Sequence, residues 1–175
     1  MKRNVSVLIC LCAALAWQHA AAQEDGPAGD GVAVGDTVPA FTIVSDDGAP
    51  TPSAQFRGRV MLICFFATWC PTCQVELAEI EKTLWPEYRN REDFALLAVG
   101  REHSDAELKL YNAKKGFSFP LYPDRDRRIF DAFATQLIPR TYLTDRDGRI
   151  IYVATGYSRR EFDNLMKAID RALLR

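Results

Sequence analysis

The chain has 175 residues, 22 Lys and Arg against 23 Asp and Glu, and 48% hydrophobic residues. That balance fits a single globular domain and excludes a disordered polyelectrolyte. No Lys/Arg stripe interleaved with aromatics argues for a nucleic-acid partner, and the near-neutral charge carries no membrane-surface signal.

Met1-Lys2-Arg3-Asn4 opens the chain, followed by an apolar run from Val5 to Trp17 and then Ala20-Ala21-Ala22. A basic start, a short apolar stretch and a small-residue site form the pattern of a cleavable signal peptide, expected over residues 1–22. The apolar run is shorter than the ~20 residues of a membrane span. Residues 23–36 (QEDGPAGDGVAVGD) are poor in large apolar side chains, and a flexible tether is expected there. A single folded domain is then expected over residues 37–175.

Within that domain, Phe41–Val44 reads as a strand and Asp46-Asp47-Gly48 as a turn. Val60–Ala67 is a continuous apolar run of strand length, the pattern of a strand covered on both faces. Cys73, Leu77, Ile80 and Leu84 then recur at helical spacing, and this helix is expected to end near Trp85-Pro86. Phe94–Val99 is a further strand. Ser104-Asp105-Ala106-Glu107 is a capping box that opens a helix running to about Lys115, before Gly116. Phe119–Tyr122 reads as a strand and Asp126–Ala134 as a helix. Arg140–Leu143 and Ile150–Ala154 flank the turn Asp145-Arg146-Asp147-Gly148, a hairpin. A second capping box, Ser158-Arg159-Arg160-Glu161, starts a final helix with Phe162, Leu165, Met166, Ile169 and Leu173 on its apolar stripe. Alternating strands and helices with a late hairpin predict an α/β fold around a mixed sheet.

Of the five cysteines, Cys10 and Cys12 fall in the expected signal peptide, leaving Cys64, Cys70 and Cys73. An odd count with one CxxC pair points to chemistry rather than to a disulfide framework. Cys70-Pro71-Thr72-Cys73 lies where a strand passes into a helix. The free amides and the dipole at a helix N-terminus stabilise a thiolate, so Cys70 is the expected exposed nucleophile and Cys73 the buried resolving thiol. A zinc site would need a second ligand pair, and a c-type haem would need His where Gln74 stands. No metal is expected, and no cofactor beyond the chain's own redox-active disulfide.

The segment Phe65-Phe66-Ala67-Thr68-Trp69-Cys70-Pro71-Thr72-Cys73 closely resembles the thioredoxin active-site segment. From about Val38 to the C-terminus the chain resembles the TlpA/ResA-like branch of periplasmic thiol–disulfide oxidoreductases. Supporting features are Phe41–Val44, Gly58-Arg59-Val60 and the late Asp145–Gly148. The resemblance implies a thioredoxin-like three-layer sandwich with extra N-terminal strands and a central helix–strand insert at 105–122. It implies a monomeric periplasmic enzyme exchanging disulfides with protein substrates, as a reductase fed by a membrane-embedded electron donor. Ile138-Pro139 matches the family's cis-proline loop, which offers backbone to an extended substrate. Trp69 matches the tryptophan that covers the dithiol and contacts substrate.

Glu76 stands where this branch carries an acid that can shuttle protons for Cys73; a solvated helix acid is the alternative. Ala78 replaces a proline that commonly kinks this helix. Cys64 replaces the Asp or Asn found in relatives and is expected to pack as a small hydrophobe. Arg140 either adds positive charge near the site or solvates a strand end. His103, ahead of a helix cap, is expected at the surface.

Three functions compete with this one, and the third, a non-catalytic interaction domain, is disfavoured by the intact dithiol and proline loop. A peroxiredoxin-like peroxidase would need Thr at position 67 and Pro at position 63, where Ala67 and Ile63 stand. A thioredoxin-fold copper chaperone would join the cysteines with a distant histidine, for which His103 is the candidate.

Overall fold

A computed structural model describes residues 31–44 and 48–174. The expected signal peptide, residues 23–30 of the expected tether, and all of the expected turn at 46–48 except Gly48 lie outside the described residues.

β3 (Val60–Phe66) is buried along its whole length, as its apolar run predicts, and forms the middle of a five-stranded sheet. Parallel to it run β4 (Phe94–Arg101) and, at the edge, β5 (Leu121–Asp124). On the other side lie β6 (Arg140–Thr144) and β7 (Ile150–Thr155), both antiparallel to their neighbours. The order is β5-β4-β3-β6-β7.

Alternation along β3 divides the core. Val60, Leu62, Cys64 and Phe66 face α1 (Pro71–Glu79), α3 (Asp105–Lys115) and α5 (Arg159–Leu173). Met61, Ile63 and Phe65 face α4 (Arg128–Phe133) and the N-terminal segment. The result is a three-layer mixed sandwich. A small hairpin, β1 (Thr42–Val44) with β2 (Pro50–Pro52), lies outside the main sheet; β1 was expected and β2 was not. Two prolines and one threonine give no strand pattern, because β2 is held by its pairing to β1 rather than by propensity.

The helix after the dithiol runs further than its sequence suggests. It passes from α1 through a π-helical turn (Ile80–Leu84) into α2 (Trp85–Tyr88). Within an α-helix, Pro86 would lack a donor and press its ring on the Lys82 carbonyl. Instead the ladder widens just before it, with Trp85 N–H donating to Ile80 O, and the helix continues.

The expected flexible tether also needs correction at residues 31–36. Val32 N–H donates to Phe133 O at 2.9 Å, Gly35 N–H to Ile150 O at 2.8 Å, and Ile150 N–H to Asp36 O at 2.8 Å. Backbone groups make these contacts, so a Gly/Asp-rich composition does not prevent them. Among the described residues, no helix is long and apolar enough to cross a membrane.

Candidate active site

β3 delivers the chain to the top of the sheet, where Ala67–Trp69 turn into α1. Cys70 is the N-cap of that helix, and its Sγ accepts the Cys73 N–H at 3.2 Å. Pro71 follows at the first helical position, where no N–H is needed. Cys70 and Cys73 are joined as a disulfide with Cα atoms 5.3 Å apart. The asymmetry between them is smaller than expected: Cys70 is 5% exposed and Cys73 0%. Cys70 is tucked beneath the β6 loop rather than freely exposed, its Sγ 3.9 Å from Ile138 O and 3.4 Å from Thr72 Oγ1.

Ile138-Pro139, joined by a cis peptide bond, therefore stands directly across from the dithiol although 68 residues separate Ile138 from Cys70. Trp69, next to Cys70 in the chain, is 62% exposed, with the Arg101 guanidinium 5.8 Å from the ring centre.

Glu76 shares the buried face of α1 with Cys73, one turn further on. The residue is only 4% exposed, which decides between the two readings: this is not a solvated acid. Thr141 Oγ1 donates to Glu76 Oε1 at 2.8 Å. Burial pushes the Glu76 carboxyl up to about 7, against a smaller lowering by the Thr141 hydrogen bond. Cys64 lies opposite Thr141 in the β3–β6 register, its Sγ 3.7 Å from Thr141 Oγ1. Burial first, and the Glu76 charge second, push its thiol well above the usual range. Cys64 is packed inside, as expected. A small cavity of about 10 Å³, enough for about one water molecule, is lined by Glu76, Thr141, Tyr152 and Glu161 among others.

Two expectations fail. Arg140 is buried, with Nε donating to Tyr142 Oη at 3.0 Å, so it does not solvate a strand end. His103 is buried too, and its Nε2 accepts the Thr68 N–H at 2.9 Å. Helical periodicity could not reveal His103, because it lies in a turn. Thr141 was also missed; its place two residues after Pro139, on the same face of a strand, was the available signal.

The comparisons agree with this geometry. A family model described as Redoxin matches residues 33–169. The thiol-disulfide oxidoreductase ResA of Geobacillus thermodenitrificans is 28% identical over 130 residues, 74% of each chain. A solved structure from Bacteroides thetaiotaomicron, provisionally assigned as a protein disulfide isomerase, is 32% identical with a TM-score of 0.80, covering 84% of this chain and 94% of that one. Another from Neisseria meningitidis, provisionally assigned as a thioredoxin, is 30% identical with a TM-score of 0.68, covering 80% and 93%. The fold is thioredoxin-like, and with a CxxC disulfide at the head of its first long helix the chain belongs to the redoxin family.

Proposed function

We propose that the protein is a thiol–disulfide oxidoreductase acting on protein substrates, with Cys70 as nucleophile and Cys73 as resolving thiol. The observation that carries this reading is the Cys70–Cys73 disulfide at the α1 N-terminus, facing the Ile138 carbonyl. In the reduced protein the Cys73 N–H and the helix dipole favour the Cys70 thiolate. That thiolate attacks one sulfur of a substrate disulfide. The substrate S–S bond breaks, one substrate thiolate leaves, and a mixed disulfide forms. Cys73 then passes its proton to Glu76 and attacks Cys70 Sγ. The Cys70–Cys73 bond forms, the second substrate thiolate leaves, and two electrons have moved from protein to substrate. Both substrate thiolates take protons from water, and Glu76 returns its own through the small cavity beside Tyr152 and Glu161.

Ile138 offers its backbone to an extended substrate segment, so binding depends little on substrate side chains. Trp69, next to Cys70 in the chain, supplies an exposed apolar surface. In the working direction the protein is a periplasmic reductase, recharged by a membrane-embedded electron donor. The composition of residues 1–22 supports export. All the groups named lie in one copy, so a monomer suffices, and the chain's own dithiol serves as the redox group.

Cys73→Ala in cells should accumulate substrates linked covalently to Cys70, released by dithiothreitol, while Cys70→Ala should capture none. Exchange activity that survives Cys70→Ala would sink the proposal.

A further inference from the structure

Thr68, two residues before Cys70, is clamped at both ends of its backbone. Its N–H donates to His103 Nε2 at 2.9 Å, and its C=O accepts from Gln74 Nε2 at 2.8 Å. Gln74 is held in turn by Lys115 Nζ at 2.9 Å. These groups come from the β4–α3 turn, from α1 and from the end of α3. The next residue is Trp69, and the turn closes with Cys70 N–H donating to Ala67 O at 3.1 Å.

The placement of His103 is tightly specified. Glu102, before it, takes a left-handed conformation (φ 65°), and its N–H donates to Asp124 O at 2.9 Å. His103 N–H donates to Gly100 O at 3.2 Å. A side chain at Gly100 would meet Leu108 Cδ2 at 2.7 Å and His103 Cβ at 3.4 Å, so Leu108 and His103 pack closely over this glycine. A backbone N–H can only donate, so Nε2 must carry the lone pair and the neutral ring has its proton on Nδ1. Nδ1 is buried with no hydrogen-bond partner among the described residues. The imidazole is thus used at one nitrogen, and what it holds is the peptide leading into the nucleophile.

We propose that neutral His103 is a positioning residue for Cys70: its Nε2 fixes the Thr68 peptide, and protonation releases the Trp69–Cys70 turn and slows disulfide exchange in mild acid. The inference rests on the oxidoreductase reading above. A proton on Nε2 would set two donors against each other at 2.9 Å, leaving the Thr68 amide without an acceptor. The ionisable groups around the ring are Arg101 at the end of β4, Glu102 in the turn and Glu107 in the first turn of α3. Lys115 reaches the same peptide through Gln74; Asp124 meets the turn only through its backbone carbonyl, its carboxylate accepting the Ile129 and Phe130 N–H groups of α4. Burial keeps the ring below the usual histidine range, Glu107 and Glu102 oppose that, and Arg101 adds to it.

The test is the rate at which Cys70 of the reduced protein attacks 4,4′-dithiodipyridine, measured from pH 4.5 to 8 for wild type, His103→Gln and His103→Leu. Glutamine keeps an acceptor near the Nε2 position but does not titrate. His103→Gln should stay within about twofold of wild type at pH 8 and then outpace it in acid, the ratio reaching about tenfold by pH 4.5. His103→Leu should be about tenfold slower at pH 8 as well. A wild-type to His103→Gln ratio that does not vary with pH would overturn the inference, as would a folded His103→Leu protein as fast as wild type. Should the leucine variant not fold, the ratio for the glutamine variant decides alone. Wild type that shows no reaction at Cys70 at any pH would overturn the oxidoreductase reading itself.

Discussion

A carboxyl sealed between a helix and a sheet is charged only at a cost, and Glu76 makes that cost measurable. Its folded value of about 7 lies above the ordinary 4.5, so the folded protein holds a proton that the unfolded chain releases between those values. The stabilisation is therefore fully present below about pH 4.5 and lost as pH rises through 7, a difference of about 3 kcal/mol at pH 8. Glu76→Gln removes the titration and keeps an acceptor for Thr141. It should unfold at higher denaturant at pH 8, by up to about 3 kcal/mol, with little change at pH 4.5. Equal stabilisation at both pH values would refute the assignment. The same variant should slow the Cys73 step by about 100-fold, because the proton acceptor is gone. Cys64, buried beside the same carboxyl, should resist alkylation in the native reduced protein and react only on unfolding, as read by peptide-resolved mass spectrometry. The dithiol was legible because its chemistry is set by local spacing. Thr141 and His103 were not, because each acts on a residue that only the fold brings near.

At the scale of elements, the two capping boxes read from sequence separate into a complete one and a half. Ser104 Oγ accepts from Glu107 N–H at 3.4 Å, and Glu107 Oε2 accepts from Ser104 N–H at 2.8 Å and from its hydroxyl at 2.7 Å. At α5, Ser158 Oγ accepts from Glu161 N–H at 3.2 Å, but the Glu161 carboxylate takes the Tyr152 hydroxyl at 3.0 Å instead of reaching back. The motif specifies the serine's role, while β7 competes for the acid. Ser104→Ala should therefore cost about 1 kcal/mol in chemical denaturation, the usual loss of an N-cap. Its neighbour His103 makes a second readout useful. If the cap only anchors α3, the exchange rate at Cys70 should be unchanged at pH 8. The helix end after the dithiol is not legible for a related reason: Pro86 reads as a stop for an α-helix, yet a π turn absorbs it.

For the whole molecule, alternating apolar strands and amphipathic helices made the mixed sandwich legible, since side-chain burial produces those patterns. The N-terminal strap was not legible, because backbone groups hold it and every composition supplies those. Residues 35–38 run beside the β6–β7 hairpin, through a bridge from Thr37 to Arg149 and Val38 N–H donating to Gly148 O at 2.8 Å. Val32 reaches the end of α4, just before the chain that leads to Ile138-Pro139. Gly31 is needed at that point: its φ is 77°, and a Cβ there would overlap the Phe133 carbonyl. A chain lacking residues 1–36 loses the exposed bond from the Arg149 guanidinium to Gly35 O and three backbone bonds, from Val32, Gly35 and Ile150, whereas one lacking residues 1–30 keeps them. With each such backbone bond worth about 1 kcal/mol, the shorter chain should be less stable by about 3 kcal/mol in chemical denaturation. Identical midpoints would mean that residues 31–36 behave as the tether their composition suggests. The strap touches neither cysteine, so both truncated chains should react equally at Cys70 under conditions where both are folded. A slower shorter chain would instead show that the strap fixes the Ile138 loop against the dithiol.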